Sequence, residues 1–501
     1  MTARALGPLL AAAGITPLTP VPEGLLVRGV RVDSRAVRSG ELFFAVRGAL
    51  DDGARHAPQA VANGAAAIVA ESPAPDRDLG IPWIRVREAR LAMGLLAREW
   101  YGRPDESMTL VGITGTKGKT TVAYLVESIA RAAGRSAGRI GTVGYAFGGM
   151  EFEAARTTPE ATDLYAILAS MRDGGTEVVA MEVSSHAVAL HRVAGARFPV
   201  AAFLNLGRDH LDFHGGADAY FEAKASLFDR LTPGDTAVLP ADDPHGARLA
   251  ARTRARTIVF GHDSGSDVRI EAERFDLTGS TATLRTPLGR LEVRTSLPGA
   301  FNVLNAAAAS ACGIALGFDA GAIAAGIERQ GVVPGRLEPV SSGQPFAVFV
   351  DYAHTEESLA AVLEAVRRLT PCRMTVVFGC GGDRDRGKRF GMGRAAAQAD
   401  RIILTSDNPR GEDPLAILRE IEAGVASVEG APARSTVAPD RRDAIRLALG
   451  EARSGDAIVI AGKGHETTQT TAGRVEPFDD REIARDELKR LGFGRGPRAG
   501  A

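Results

Sequence analysis

The sequence has few cysteines, no excess charge of either sign and no long hydrophobic run. The three cysteines among 501 residues, Cys312, Cys372 and Cys380, lack the spacing of a zinc site or a disulfide framework, so we expect reduced, buried thiols. Acidic and basic residues number 61 and 60, which excludes the basic surplus of a bulk nucleic-acid binder. No window approaches the roughly 18 apolar residues of a membrane span. The default expectation is a monomeric cytoplasmic protein with no nucleic-acid partner and no membrane insertion.

Aromatic residues are also scarce, at 5% of the chain. The apolar content is therefore mostly Ala, Val, Leu and Ile, which suits helices packed on parallel sheets. The N-terminal run is broken by Gly14, Pro17 and Pro20, and it predicts a first helix and not a signal peptide. The length predicts about three domains. We place them at residues 1–105, 106–333 and 334–501, from the break at Pro104 and the change of pattern near Val333.

The third of these segments alternates β-rich apolar runs with helical stretches. The runs are "FAVFVDYAH", "CRMTVVFGC", "RIILTSDNP" and "DAIVIAGKG", and each ends in polar or glycine-rich residues. This rhythm is typical of a parallel sheet with helices on both faces. Functional loops in such sheets follow the carboxyl ends of strands, which is where these polar residues fall. The sequence therefore predicts an α/β fold with a Rossmann-like C-terminal domain.

The segment "GITGTKGKTT" (112–121) lies between an apolar strand and an amphipathic helix. That is the context of a phosphate-binding loop, in which Gly115 and Gly118 let backbone N–H groups turn toward phosphates. Lys119 would reach the terminal phosphates, and the Thr120 hydroxyl is placed to ligate Mg²⁺. The common P-loop spacing requires glycine at Ile113, and the glycine is at 112 instead. The spacing thus favours a variant P-loop family over a generic motor ATPase.

Acidic and histidine side chains follow two further strands of the second segment. Glu182 ends the apolar run "VVAME", and Asp209 and His210 follow "PVAAFLNL". Strand ends in a P-loop domain lie beside the phosphates, where a carboxylate and an imidazole can hold Mg²⁺. Lys224, on the amphipathic helix "DAYFEAKASLFDRL", taken alone predicts a surface lysine.

Together these residues resemble the Mur ligase family of ATP-dependent amide-forming enzymes of cell-wall precursor synthesis. The resemblance spans nearly the whole chain. It is carried by "DSRAVRSGELFFAVRG" (33–48), "GITGTKGKTT", "RTTPE" (156–160), "MEVSSHAVALHRV" (181–193), "NLGRDHLDFHG" (205–215), "YFEAKASLF" (220–228), "LPGAFNVLNAAAA" (297–309), "PGRLEPV" (334–340), "DYAHT" (351–355), "GCGGDRDRGKR" (379–389), "TSDNPRGEDP" (405–414) and "AGKGHE" (461–466).

The resemblance implies three domains: a small N-terminal UDP-binding α/β domain, a central P-loop ATPase domain with a mainly parallel sheet, and a C-terminal Rossmann-like domain. It implies a ligase that uses ATP and Mg²⁺. The segment "DNPR" is similar to the signature of the branch that adds meso-diaminopimelate to UDP-MurNAc-L-Ala-D-Glu. The expected partners are therefore these small molecules.

The resemblance also implies roles for individual positions. ATP would be bound by Gly115, Thr116, Lys117, Gly118, Lys119, Thr120, Thr121, Asn302, Asn305, Arg336 and Asp351. The UDP-MurNAc-dipeptide would be held by Ser34, Thr157, Thr158, Ser184 and Arg192. Diaminopimelate would meet Arg384, Asp407, Asn408, Pro409, Arg410, Gly462 and Glu466. Lys119, Lys224, His210 and His354 would be catalytic, and the metal site would comprise Thr120, Glu182, His210 and Lys224, the last as a carbamate.

Lys117, Arg156, Leu190 and Glu356 depart from the family's usual residues, and these departures are expected to affect substrate affinity and not the core chemistry. Three alternatives remain open. Two lie within the family, a lysine-adding enzyme and a folylpolyglutamate synthetase, although the N-terminal "DSR" segment disfavours the second. The third is a nucleotide-binding regulatory module with no ligase activity, which would need neither Lys224 nor the C-terminal acceptor motifs.

Overall fold

The computed structural model describes residues 2–48, 51–207 and 209–494, with the side chains of 211 and 212 outside the description. The chain divides into two compact units. The first comprises Met1–Arg269, Arg285–Gly289 and Ala307–Gly326. The second comprises Ile270–Leu284, Arg290–Ala306 and Ile327–Ala501. This division does not test the three predicted domain boundaries, which stay predictions.

The N-terminal part of the first unit is a small α/β layer. Its parallel sheet has the order β3-β4-β5-β6, and β4 and β5 are buried at every position because both faces are covered. The elements are β1 (Arg4–Ala5), α1 (Leu6–Ala12), β2 (Leu26–Val27), β3 (Val30–Arg31), β4 (Leu42–Ala45), α2 (Ala57–Ala62), β5 (Ala67–Ala70), β6 (Trp83–Arg85) and α3 (Ala89–Trp100). The predicted first helix is confirmed as α1.

The larger sheet of the first unit positions the phosphate loop. Eight of its strands run in the order β10-β9-β8-β11-β7-β12-β13-β14, parallel from β8 to β14. The elements are β7 (Thr109–Thr114), α4 (Lys119–Ala132), β8 (Ala137–Gly141), β9 (Gly144–Phe147), β10 (Met150–Phe152), α5 (Ala161–Asp173), β11 (Val178–Glu182), α6 (Ser185–Ala189), β12 (Val200–Phe203), α7 (Leu211–His214), α8 (Ala217–Asp229), β13 (Thr236–Pro240), α9 (Pro244–Ala250) and β14 (Arg256–Gly261). Since β7 lies between β11 and β12, the carboxyl ends of these three strands share one sheet edge.

The elements that follow carry the chain from one compact unit to the other. They are β15 (Val268–Asp276), β16 (Gly279–Thr286), β17 (Gly289–Thr295), α10 (Ala300–Ala315) and α11 (Ala320–Arg329). The strand β17 alternates exposed and buried residues, as expected for a sheet with one covered face.

The second unit holds a six-stranded sheet of order β18-β19-β23-β20-β21-β22, in which only β18 is antiparallel to its neighbour. The elements are β18 (Glu338–Pro339), β19 (Ala347–Asp351), α12 (Glu356–Leu369), β20 (Met374–Phe378), α13 (Lys388–Ala396), β21 (Arg401–Leu404), α14 (Pro414–Ala426), β22 (Ser435–Val437), α15 (Arg441–Glu451), β23 (Ala457–Ala461), β24 (Thr468–Thr471), β25 (Arg474–Pro477) and α16 (Asp480–Arg490). Apolar clusters cover both faces of this sheet, which confirms the predicted Rossmann-like arrangement.

Two expectations from the sequence concern membrane-spanning helices and the burial of the cysteines. No helix among the described residues is long and apolar enough to cross a membrane. Cys312 and Cys380 are buried, but Cys372 is exposed, so the expectation of three buried thiols is wrong for that residue. Cys372 lies in the polar connection between α12 and β20, which carries it to the surface.

Candidate active site

The phosphate loop lies between the end of β7 and the start of α4. Gly118 has φ of 87°, in the left-handed region that favours glycine. A Cβ at Gly115 would lie 3.0 Å from the Cβ of Leu204 and 3.3 Å from the Lys117 carbonyl oxygen, so the tight packing around the loop favours glycine there too. The Lys119 ammonium donates to the carbonyl oxygens of Gly115 at 2.8 Å and Thr116 at 3.0 Å, folding back over the loop. The order of strand, loop and helix is the one that the sequence predicts, and the phosphate-binding role of the loop stays a prediction.

Asn205, which follows β12, fastens this loop from the neighbouring strand. Its Oδ1 accepts from the Lys117 backbone N–H at 2.9 Å, and its Nδ2 donates to the Lys117 carbonyl at 3.1 Å. The Thr116 hydroxyl lies 3.1 Å from the Tyr220 hydroxyl on α8, and Thr121 is buried in the first turn of α4. Asn205 was not predicted from the sequence, because an asparagine after a strand is too common a pattern to indicate a particular partner.

Glu182, at the end of β11, is the polar centre beneath the loop and is only 1% exposed. Its carboxylate accepts from the Thr120 hydroxyl at 3.1 Å, from the Thr142 hydroxyl at 3.0 Å and from the Thr142 backbone N–H at 2.8 Å. Thr142 also lies 3.1 Å from the Thr157 hydroxyl. The predicted neighbours Thr120 and Glu182 thus meet, and Thr142 joins them without having been predicted.

Lys224 is buried, at 1% exposure, which overturns its interpretation as a surface lysine from helix pattern alone. Its ammonium donates to the Gly115 carbonyl at 2.9 Å, the same oxygen that Lys119 contacts, and it lies 4.5 Å from the centre of the Tyr220 ring. Burial lowers the pKa of Lys224 well below its ordinary value, and the charge of Lys119 lowers it further. This lysine therefore has an increased neutral fraction at physiological pH.

His210 lies in a cluster of rings at the edge of the same unit. Its ring meets that of His186 edge-on, with centroids 4.5 Å apart, and the His186 ring also packs on Phe213 at 4.1 Å. Burial lowers the pKa of His186 to about 4, and the nearby His210 and His214 contribute to the shift. His186 is therefore a neutral packing partner for His210 at physiological pH.

Four of the five predicted dipeptide-binding residues lie together around β11: Thr157, Thr158, Ser184 and Arg192. The Thr158 hydroxyl donates to the Glu182 carbonyl at 2.8 Å and accepts from the Ser184 backbone N–H at 3.1 Å. The Arg192 guanidinium donates to the Thr158 carbonyl at 3.2 Å and lies 3.0 Å from the carboxylate of Glu160. Glu160, which the sequence analysis did not single out, thereby fixes the one buried cation of this group.

A cavity of about 350 Å³ opens beside these residues. Arg156 lines it and donates to Glu160 at 3.1 Å, so this departure from the family pattern is held by an ion pair with a residue four positions further along the chain. Asp163 also lines the cavity, and burial raises the pKa of its carboxyl group. Charged and apolar side chains thus line a space of ligand size next to Thr157 and Thr158.

Ser34 occupies a short 3₁₀ turn of the N-terminal layer, which begins after the capping residue Asp33. Its hydroxyl donates to the Gln59 side chain at 2.7 Å, and its carbonyl accepts from Asn63 at 2.9 Å. The turn is therefore anchored to α2.

The predicted nucleotide residues of the second unit lie in two places. Asn302 donates to the Pro298 carbonyl at 2.9 Å, and Asn305 donates to the Asn302 side chain at 3.1 Å, both in the first turns of α10. Asp351 ends β19, and its two oxygens accept the backbone N–H groups of Leu337 and Ala353, each at 2.7 Å.

An arginine and a histidine of that region pack around one aromatic ring. The Arg336 guanidinium lies 5.1 Å from the centre of the Tyr352 ring, and the His354 ring lies 4.6 Å from it. The Nδ1 atom of His354 is 2.8 Å from the Tyr352 carbonyl oxygen, which fixes the plane of the imidazole.

The predicted amino-acid-binding residues gather at the carboxyl edge of the second sheet. Asn408, after β21, donates to Oε2 of Glu466 at 2.8 Å. Lys463, after β23, is fully buried and donates to the same Oε2 at 3.1 Å. Gly462 has φ of 113°, and a Cβ there would lie 2.6 Å from the Asp407 carboxylate. Lys463 was missed in the sequence, where a lysine between two glycines is typical of an exposed turn.

Arg410 lies on the loop that follows Asn408 and Pro409. Its guanidinium donates to the Gly382 carbonyl at 2.8 Å, and its backbone N–H donates to the Thr470 carbonyl at 2.9 Å. The Pro409 carbonyl accepts from the Glu412 backbone at 3.1 Å, which closes the turn. Arg384, on the neighbouring loop, is exposed. The loop around Arg410 is therefore fixed by main-chain bonds.

Within the described part of the chain, no group of three or more His, Cys, Asp or Glu side chains has the arrangement of a metal site. The predicted metal ligands include a threonine hydroxyl and a carbamylated lysine as well as Glu182 and His210, so this absence does not test the predicted site. It stays a prediction.

The sequence matches three family profiles. Residues 26–101 match "Mur ligase family, catalytic domain", residues 113–313 match "Mur ligase middle domain", and residues 335–464 match "Mur ligase, glutamate ligase domain".

The chain is similar to curated proteins over almost its full length. It is 46% identical over 493 residues to a protein from Solibacter usitatus named UDP-N-acetylmuramoyl-L-alanyl-D-glutamate--2,6-diaminopimelate ligase, covering 97% of this chain and 99% of the relative. A solved structure with the same ligase name is 31% identical, with a TM-score of 0.68 and coverage of 98% and 100%. The MurF ligase of Thermotoga maritima in complex with ADP is 22% identical with a TM-score of 0.63, covering 94% and 100%, and supports the fold alone.

Proposed function

The chain belongs to the Mur ligase family, and on this premise we propose that it joins meso-diaminopimelate to UDP-MurNAc-L-Ala-D-Glu at the expense of ATP, in peptidoglycan precursor synthesis. The observation that carries the proposal is the 46% identity to a ligase of that name across 97% of the chain. The same observation disfavours the lysine-adding enzyme, the folylpolyglutamate synthetase and the regulatory module.

The reaction requires activation of a carboxylate, which is a poor electrophile at neutral pH. Transfer of the γ-phosphoryl group of ATP to the D-Glu side chain gives an acyl phosphate, whose phosphate then leaves as the amine attacks. The phosphate loop supports this step, because backbone N–H groups, the start of α4 and the Lys119 ammonium all favour negative charge there. Phosphoryl transfer depends mainly on such positioning and electrostatics.

The residues below the loop fit a hard cation. Thr120 and Glu182 present two buried oxygen groups 3.1 Å apart beside the loop, and oxygen ligands are what Mg²⁺ prefers. Thr120, Glu182 and His210 would hold the ion, which when bound would neutralise charge on the phosphates. Glu182 is already oriented for this role by Thr142.

Lys224 is proposed to act as a carbamate. Its buried amine with a lowered pKa is neutral more often than an exposed lysine, and a neutral amine can attack CO₂. A new N–C bond forms as one C–O π bond of CO₂ opens, and one proton passes from the nitrogen to solvent. Counted from the ammonium, two protons are released in all, and an anion replaces a cation. That anion would balance the charge of Lys119, which shares the Gly115 carbonyl with Lys224.

Recognition of the amino acid follows from its charges. Its distal end carries an ammonium and a carboxylate. Arg410 would bind the carboxylate through two parallel hydrogen bonds, and Glu466 would pair with the ammonium. Lysine lacks that distal carboxylate and would leave the Arg410 guanidinium without an anionic partner. Action in the cytoplasm as a monomer is part of the same proposal.

The function is tested by mass spectrometry of UDP-MurNAc-L-Ala-D-Glu incubated with ATP, Mg²⁺ and one amino acid at a time. The expected result is a product heavier by one diaminopimelate less one water, with ADP and phosphate released in equal amounts. Formation of the lysine adduct alone would assign the chain to the lysine-adding branch. Binding of ATP with no amino-acid-dependent turnover would support the regulatory module.

A further inference from the structure

Lys463 is a buried charge that the proposed mechanism does not use. It lies between Gly462 and Gly464, directly after β23, and is 0% exposed. A lysine ammonium is almost never fully buried unless it is paired, because removing it from water is costly. Its partners therefore indicate what the charge does.

All three protons of this ammonium have acceptors, and each acceptor belongs to a different segment. Lys463 donates to the Thr468 carbonyl at 2.6 Å, to Oε2 of Glu466 at 3.1 Å and to Oδ1 of Asn408 at 3.3 Å. An ammonium has three donors and no acceptor, so this set satisfies it. Lys463 thus ties the turn after β23 to the loop after β21 and to the start of β24.

These segments are the ones that carry the proposed amino-acid site. Asn408 donates to Oε2 of Glu466 at 2.8 Å and accepts from the Thr470 backbone at 3.0 Å. The carbonyl of Thr470 in turn accepts from the backbone of Arg410 at 2.9 Å. The ammonium of Lys463 therefore reaches both ends of the site, Glu466 directly and Arg410 through β24.

The bonding of Glu466 is also asymmetric. Among the hydrogen bonds of the described residues, the two that reach its carboxylate both end on Oε2. Its side chain is one-third exposed, so Oε1 remains for a ligand. A carboxylate fixed through one oxygen presents the other in a defined place.

We propose that Lys463 is a positioning residue for the incoming diamino acid: it fixes Glu466 and Asn408 so that Oε1 of Glu466 receives the substrate ammonium. This inference rests on the proposed function. The direction of the change in diaminopimelate binding distinguishes this role from a purely electrostatic one, which would act in the opposite direction. Removing a cation beside Glu466 would strengthen the attraction of that carboxylate for an ammonium, whereas removing a positioning group weakens binding.

The test compares Lys463→Met with Lys489→Met, which makes the same replacement at an exposed lysine near the end of α16. We expect Lys463→Met to raise the KM for diaminopimelate by about 10- to 100-fold, the range for hydrogen bonds to charged groups, with the KM for ATP unchanged. Lys489→Met should leave all constants unchanged. An unchanged or lowered KM for diaminopimelate in a folded Lys463→Met protein would overturn the proposal.

Loss of folded protein would lower the apparent kcat and leave KM unchanged. A rise in KM therefore indicates positioning, whereas a fall in kcat alone indicates a merely structural role. If Lys463→Met does not fold, Lys463→Gln keeps a neutral donor amide one bond shorter than the lysine, and a rise in the KM for diaminopimelate is expected of it as well; an unchanged KM would overturn the proposal. In a double variant with Glu466→Gln, the loss should be clearly smaller than the product of the single losses, since both act through one contact. Multiplicative losses would contradict the proposal.

The proposed function and this inference fail separately. A wild-type protein with no diaminopimelate-dependent phosphate release would contradict the function. A wild-type protein with normal turnover, beside a Lys463→Met protein with an unchanged KM, would contradict only the role of Lys463.

Discussion

Replacement of Glu182 by glutamine should leave the free energy of unfolding nearly unchanged and shift the Mg²⁺ dependence of activity to higher concentrations. Glu182 is buried and accepts three hydrogen bonds, two from hydroxyls and one from the Thr142 backbone. Glutamine has almost the same shape. Its oxygen can accept the Thr142 N–H, and its amide can donate to the hydroxyls of Thr120 and Thr142, which can rotate to accept.

The two opposing contributions to stability can be compared. The bonds to Glu182 become neutral and lose roughly half their strength. Against this, the variant no longer buries a charge, which offsets the loss. We expect the free energy of unfolding to change by less than about 1 kcal/mol. Glu182→Ala has no such compensation, and it leaves the half-buried Thr142 N–H without its acceptor, so a loss of about 2–4 kcal/mol is expected.

The Mg²⁺ dependence of phosphate release should change much more than the stability in the glutamine variant. If Glu182 helps to hold Mg²⁺, the glutamine variant loses an anionic ligand, and the Mg²⁺ concentration for half-maximal phosphate release should rise about 10- to 100-fold. The assays are denaturant unfolding and phosphate release across a Mg²⁺ titration, with Glu151→Gln, at a 73% exposed side chain, as the matched control. A Glu182→Gln protein with wild-type Mg²⁺ dependence, or one that unfolds like Glu182→Ala, would refute the reasoning.

Three further outcomes are expected. Lys224→Ala should lose most phosphate release while remaining folded, with partial recovery on adding short carboxylic acids; near wild-type turnover would exclude a carbamate. Arg441→Met should lower the free energy of unfolding by about 3–5 kcal/mol, because it leaves the fully buried Asp480 without its ion-pair partner. The double variant with Asp480→Leu should recover much of that loss, and equal losses in the single and double variants would contradict this. Native protein should react rapidly with a thiol reagent at the exposed Cys372 only, because burial raises the pKa of Cys312 and of Cys380 to about 12, and rapid modification of either buried thiol before unfolding would contradict the structure.

The phosphate loop and its acidic neighbour could be predicted because both depend on strand ends. Glycine spacing fixes the turn after β7, and a parallel sheet brings the ends of adjacent strands to one edge. Glu182 was therefore identifiable before its contacts were known. Thr142 and Asn205 were not, because a threonine or an asparagine after a strand is too common a pattern to indicate a particular partner.

Lysines were the least predictable residues of the site. The helix pattern alone made Lys224 a surface residue, and only the resemblance to the Mur ligases identified it. Lys463 had no signal, since its burial depends on acceptors from Asn408 and Thr468, which are remote in sequence or outside the turn. Long-range pairing of a buried charge cannot be derived from local composition.

The central claim is tested most directly by kcat/KM for meso-diaminopimelate and for L-lysine, measured on the wild-type protein and on Arg410→Ala. Leaving one partner of a buried charge pair alone costs roughly 2–5 kcal/mol, which predicts a wild-type preference for diaminopimelate of about 30- to several-thousand-fold. Arg410→Ala should lose a similar factor with diaminopimelate and need not gain activity with lysine. A wild-type protein that uses lysine as well as diaminopimelate, or an Arg410→Ala protein with full diaminopimelate efficiency, would contradict the account.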